Sequence, residues 1–207
     1  MLLSGLVGAV ASSLTKPPYS AMLLYLIRHP QPDIAPGICY GHADIAVSPQ
    51  QCASVQQSLP TSLRQSLAAG TLPLYASPLQ RCADLARLLH PAPCFDARLM
   101  ELDFGRWELQ PWDSIPRAEI DAWAADVVGY APGGGESALA MAQRVQQFLH
   151  QLGAAKLAQA AMVAHAGSLR MMMAWQRGTP AGDVARMVAL QPQAIQFGQC
   201  MMCELDM

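Results

Sequence analysis

The sequence predicts an α/β protein: a single domain whose mostly parallel sheet carries helices on both faces. Short apolar runs alternate with segments of helical period along the chain, the pattern of repeated strand–helix–strand units. The runs at 23–27, 71–76 and 160–164 have the length and composition of strands buried in a parallel sheet. Of 207 residues, 52% are hydrophobic and 14% charged, which suits one sizeable core and excludes a disordered chain. No repeat, low-complexity tract or linker interrupts residues 22–207, so the domain is expected to span them.

Residues 1–21 are expected to form a poorly ordered extension. Residues 1–14 are apolar and small, lack a basic flank, and are too short to span a bilayer. Lys16-Pro17-Pro18 then breaks any helix, and Met22 competes with Met1 as the true start. A signal peptide is the weaker alternative.

The first strand, 23–27, ends abruptly in Arg28-His29-Pro30, because proline cannot continue a ladder. Residues 31–47 form a loop rich in Pro, Gly and Asp, and its middle, 39–44, mixes polar and aromatic groups suited to gripping a substrate. Ser48-Pro49 reads as an N-cap with proline at the first helical position, opening a helix toward Leu67. After the strand at 71–76, Ser77-Pro78 repeats that signal and launches a helix over 79–89 with Arg81 in its first turn. A third short strand is expected over 94–97. Residues 112–127 are helical in period but interrupted by Pro116, and 132–135 form a glycine-rich turn. Ser137 begins an alanine-rich helix to Leu152. The strand at 160–164 ends in His165, and a Met-rich helix follows over 168–177, its Met171-Met172-Met173 run read as core. Thr179-Pro180 caps one more helix, and 194–197 and 201–205 read as closing strands.

The net charge of −2 argues against a nucleic-acid surface, which needs a basic patch. Cys200-Met201-Met202-Cys203 has redox or zinc spacing but no second ligand pair, and in an extended segment its thiols face opposite sides. Unpaired, reduced cysteines fit the cytoplasm. No Asp/Glu/His cluster has metal-ligand spacing, and neither metal nor cofactor is expected.

If the strands are parallel neighbours, Arg28-His29, Ser77 with Arg81, and His165 converge on one sheet edge, where open α/β folds place ligands. Two arginines, two histidines and a helix N-terminus suit a dianionic phosphoryl group. Neighbouring guanidinium groups bias a histidine toward its neutral, nucleophilic form.

The chain resembles the histidine phosphatase superfamily, which includes the cofactor-dependent phosphoglycerate mutases. The resemblance rests on Leu26-Ile27-Arg28-His29, Ser77-Pro78-Leu79-Gln80-Arg81, Glu101 ahead of Phe104-Gly105, and Val163-Ala164-His165-Ala166-Gly167. It implies a phosphoglycerate mutase-like fold and a phosphohistidine mechanism. His29 would attack phosphorus, Arg28, Arg81 and His165 would hold the phosphoryl group, and Glu101 would protonate the leaving oxygen. Tyr40-Gly41-His42-Ala43-Asp44, the segments 103–108 and 121–123, and 132–137 are similar to the α-ribazole phosphatase branch. That likeness implies a nucleoside-like monophosphate as substrate, α-ribazole 5′-phosphate of cobalamin assembly, contacted by Tyr40, His42 and Asp44. A monomer or homodimer with no nucleic-acid or membrane partner is expected. A broad phosphatase, a mutase, or a turnover-deficient phosphate binder are the alternatives. Pro30 departs from the superfamily motif, where glycine is usual, and removes one backbone donor beside the nucleophile.

Overall fold

The computed structural model describes residues 21–191 and 193–206. The expected extension therefore lies outside the described residues, apart from Ala21, which opens the first strand. Five strands, β1 (Ala21–Arg28), β2 (Leu74–Ala76), β3 (Cys94–Phe95), β4 (Gln159–Ala164) and β5 (Cys200–Asp206), form one sheet in the order β3-β2-β4-β1-β5. The first four are mutually parallel where they pair, and β5 runs antiparallel along β1. The fold is an α/β sheet of the phosphoglycerate mutase-like kind, as expected.

Among the described residues seven α-helices connect and cover the strands: α1 (Pro49–Ser58), α2 (Thr61–Ala68), α3 (Gln80–Leu89), α4 (Arg117–Ala125), α5 (Ala138–Ala154), α6 (Ala166–Ala174) and α7 (Ala181–Leu190). Side chains alternate across β1 and β4, so each strand feeds two cores. Leu24, Leu26 and Met162 pack with α5, α6 and α7, whereas Ile27, Ala161 and Val163 pack with α1, α2 and α3. Full burial of side chains such as Leu26 or Met162 contributes about 1.5–3 kcal/mol each. Cys203 meets the first core and Cys200 the second, which puts the two thiols on opposite faces, and all six cysteines are free. None of the helices among the described residues is long and apolar enough to cross a membrane.

Three sequence expectations are corrected. The helix from Ser48 toward Leu67 is two helices, because Pro60 drives Leu59 to an extended ψ of 147°. Ser77-Pro78 does not cap α3, which begins at Gln80; its cap comes from Asp44, whose carboxylate accepts the Gln80 N–H at 2.6 Å. Residues 194–197 form no strand. They curl over the end of β1 into a turn at Gly198, whose φ of 72° favours glycine and whose absent Cβ would stand 2.6 Å from Val55.

Candidate active site

The central position of β4 decides the geometry. It lies between β1 and β2, and all three run parallel, so their C-terminal ends share one edge. The ladder continues just past them: the His29 N–H donates to the Ala164 carbonyl and the Ser77 N–H to the Val163 carbonyl, both at 3.0 Å. His29 and His165 consequently sit with ring centroids 5.0 Å apart, inclined at 60°. Arg81, fully buried in the first turn of α3, reaches the same place.

Hydrogen bonds fix both tautomers. His29 Nδ1 lies 2.6 Å from the Pro30 carbonyl, which can only accept, so Nδ1 carries the proton and Nε2 keeps its lone pair. Burial, followed by Arg81 and then Arg28, lowers the His29 pKa to about 3, although the Pro30 bond opposes this. The ring is neutral at physiological pH. Arg81 Nε donates to His165 Nδ1 at 3.2 Å, which leaves His165 Nε2–H to donate to Ser77 Oγ at 2.8 Å. Burial first, then His29 and Arg81, hold His165 well below its ordinary pKa as well. Both ring nitrogens of His165 are thus engaged by protein. The remaining Arg81 bonds run to the carbonyls of Ala43, at 2.8 Å, and Gly41.

Glu101 enters from the loop before Leu102. One oxygen accepts the Gly167 N–H and the other the Leu102 N–H, each at 3.0 Å. A Cβ on Gly167 would stand 2.0 Å from the Glu101 carboxylate, so any larger residue would displace that side chain. Arg144 of α5 holds this loop by donating to the carbonyls of Arg98, Met100 and Glu101 while paired with Glu136 through two 2.7 Å contacts.

The proposed substrate loop is held by Glu108. Its carboxylate accepts the N–H groups of Gly41, His42, Ala43 and Phe104, at 2.9–3.0 Å. Among the three substrate candidates, Tyr40 lines the cavity with its ring 5.4 Å from the Arg81 guanidinium. Asp44 is spent on capping α3, and His42 turns toward Asp103, at 3.8 Å, outside the cavity lining.

The cavity that these elements enclose has a volume of about 440 Å³. Arg28, His29, Arg81, Glu101 and His165 line its polar end. Phe104, Trp112 and Trp123 line an aromatic wall, the two indoles stacked at 10° with centroids 6.4 Å apart. Trp107, by contrast, is buried beneath them and donates to Glu119 at 2.6 Å.

The histidine phosphatase superfamily (branch 1) model matches residues 24–195, which include every residue of this polar end. The chain belongs to the histidine phosphatase superfamily. No curated protein matches it in sequence. Among solved structures it is similar to a proposed α-ribazole-5′-P phosphatase of Escherichia coli K-12, with a TM-score of 0.70, 24% identity, and coverage of 89% of this chain and 91% of that one. It is also similar to a Thermus thermophilus phosphoglycerate mutase (TM-score 0.63, 24% identity, coverage 87% and 92%). A mycobacterial glucosyl-3-phosphoglycerate phosphatase gives a TM-score of 0.63 at 23% identity, with coverage of 80% and 84%. At these identities the likenesses establish the fold, and the family rests on the sequence match.

Sequence reasoning missed some of the cavity's residues. Arg170 of α6 lines the cavity as well, and its place on the helix that starts directly after His165 was a signal that could have found it. Phe197 lies with its ring 3.8 Å from the Arg28 guanidinium and 5.5 Å from the His29 ring, in the segment misread as a strand. The neighbouring Ile195 carbonyl accepts from Arg28 Nη1. Glu108 lies in the segment 103–108, yet its role needs two loops that only the fold brings together.

Proposed function

We propose that this protein is a phosphomonoesterase acting through a phosphohistidine on His29. The observation that supports this most directly is the fixed tautomer: Nδ1 is committed to Pro30, while Nε2 has no hydrogen-bond partner among the described residues. A neutral, buried imidazole with a free lone pair is a competent nucleophile toward phosphorus. In the first step the Nε2–P bond forms as the ester P–O bond breaks, and Glu101 gives its proton to the departing oxygen. Water then attacks phosphorus, Glu101 takes its proton, the N–P bond breaks, and orthophosphate leaves with His29 restored.

Arg28 and Arg81 carry the positive charge that opposes the developing phosphoryl charge, which removes the need for a metal Lewis acid. Arg81 uses three of its five N–H donors within the protein, so two remain for phosphate oxygens. His165 orients Arg81 and closes the phosphate end. Inside the cell the substrate would be a small nucleoside-like monophosphate, and α-ribazole 5′-phosphate fits best, because the wall of Phe104, Trp112 and Trp123 suits a flat apolar base.

Acid-labile, base-stable ³²P should be trapped on the protein when turnover is quenched, and His29→Ala should abolish the label. Labelling that survives the substitution would place the nucleophile elsewhere. A kcat/KM for α-ribazole 5′-phosphate no higher than for ribose 5-phosphate would remove that substrate while leaving the mechanism intact.

A further inference from the structure

We propose that Arg170 is a substrate-binding residue that grips a second oxygen acceptor of the substrate, next to the phosphoryl group. The inference rests on the phosphomonoesterase reading. Arg170 lies on α6, which starts directly after His165, and lines the same cavity. Its Nε donates to the Ala166 carbonyl at 3.2 Å, pulling the side chain back along the helix toward the phosphate end, as helical side chains lean. Its two Nη nitrogens have no acceptor among the described residues, and no carboxylate pairs with it.

The neighbourhood separates this role from that of the phosphate ligands. Burial lowers the Arg28 pKa; Arg170 and Arg81 push it the same way, against Tyr40 and Glu101. Arg81 and Arg28 also act on both histidines, whereas Arg170 is among the influences on neither. Arg170 lies five residues beyond His165 along α6, about 7.5 Å of helical rise, and Met171, Ala185, Val188 and Ala189 line the same cavity. The open Nη donors of Arg170 can be met by an incoming oxygen ligand through charge-assisted hydrogen bonds. A carboxylate or a sugar diol, close to the ester carbon, supplies such oxygens.

Equilibrium binding to the His29→Ala protein tests this without depending on turnover. The probes are phenyl phosphate, which has no second acceptor near the phosphate, ribose 5-phosphate, which offers hydroxyls, and 3-phosphoglycerate, which offers a carboxylate. The parent protein should prefer at least one oxygen-bearing probe over phenyl phosphate, and adding Arg170→Met should shrink that preference by roughly 10- to 100-fold. Arg170→Lys, which keeps the charge but loses the planar fork, should restore binding of a carboxylate more than of a diol. Equal weakening of all three probes would make Arg170 a phosphoryl ligand, and unchanged binding would make it a packing residue. A parent that shows no preference, like either of those results, overturns the proposal. Failure of the wild-type enzyme to hydrolyse any phosphomonoester, with the preference and its loss intact, would instead overturn the enzymatic reading alone.

Discussion

The His29 Nδ1–H donates to the carbonyl of Pro30 at 2.6 Å, so the residue that departs from the superfamily motif is also the one that sets the tautomer of the proposed nucleophile. Proline removes a backbone N–H but keeps its carbonyl, and its ring fixes φ, which holds the chain on one course away from His29. Pro30 is itself buried. The contact that orients His29 is thus kept although the backbone donor is lost.

Two buried neutral histidines make stability pH-dependent. His29 has a folded pKa of about 3 against 6.5 when free, and His165 is shifted the same way. Between those values the unfolded chain binds more protons than the folded one, so stability rises with pH across that window and is complete above about 6.5. Each such histidine contributes a slope of up to about 1.4 kcal/mol per pH unit. Urea midpoints should fall steadily from pH 7.5 to pH 5, and His29→Asn should flatten the fall. Equal midpoints at the two pH values would refute the burial argument.

Glu108 is the junction of two loops. Glu108→Ala removes the acceptor of four backbone N–H groups, and charge-assisted bonds of this kind, which are not additive, make a loss of roughly 2–4 kcal/mol the expected result. The Gly41 and Ala43 carbonyls hold Arg81, so KM should rise along with the loss of stability. Glu108→Gln keeps one acceptor oxygen and should lie between. A variant with wild-type stability and KM would show that the loop is held by other means.

The strand ends were legible because composition and punctuation are local: apolar runs stopping at Arg28-His29 and His165 needed only the parallel pairing of β1 and β4 to converge. Arg81 followed from its place in the first turn of α3. Contacts between distant segments were not legible. Asp44 read as a substrate group, yet it caps a helix that begins 36 residues later. Phe197 was assigned to a strand from its apolar neighbours, although its placement depends on Gly198 turning the chain back over β1. Pro60 was present in the sequence, and its effect on Leu59 could have been read from the steric rule alone.

Chelation should leave activity untouched. No group of three or more His, Cys, Asp or Glu among the described residues could hold a metal ion, while Arg28, Arg81 and Arg170 line the cavity. Hydrolysis of p-nitrophenyl phosphate after exhaustive dialysis against EDTA should match the untreated enzyme. Loss of activity, with recovery on adding Mg²⁺ or Zn²⁺, would contradict the guanidinium-based mechanism.

Glu101 is the residue whose role the leaving group can isolate. Transfer of a phosphoryl group from an alkyl ester to His29 expels an alkoxide, which departs slowly unless a proton arrives as the bond breaks. A positioned carboxylic acid contributes a factor of about 10²–10⁴ to such a step. The p-nitrophenolate group needs little help. Glu101→Gln keeps the side chain's size and one acceptor oxygen for the Gly167 N–H that holds it in place, while removing the transferable proton. The variant should therefore lose most of its kcat toward ribose 5-phosphate and far less toward p-nitrophenyl phosphate. Arg144 still holds the Glu101 backbone at 2.9 Å, so the loss of stability should be confined to the Leu102 N–H contact, which the amide NH2 cannot accept. An equal loss on both substrates would mean that Glu101 shapes the cavity rather than moving a proton.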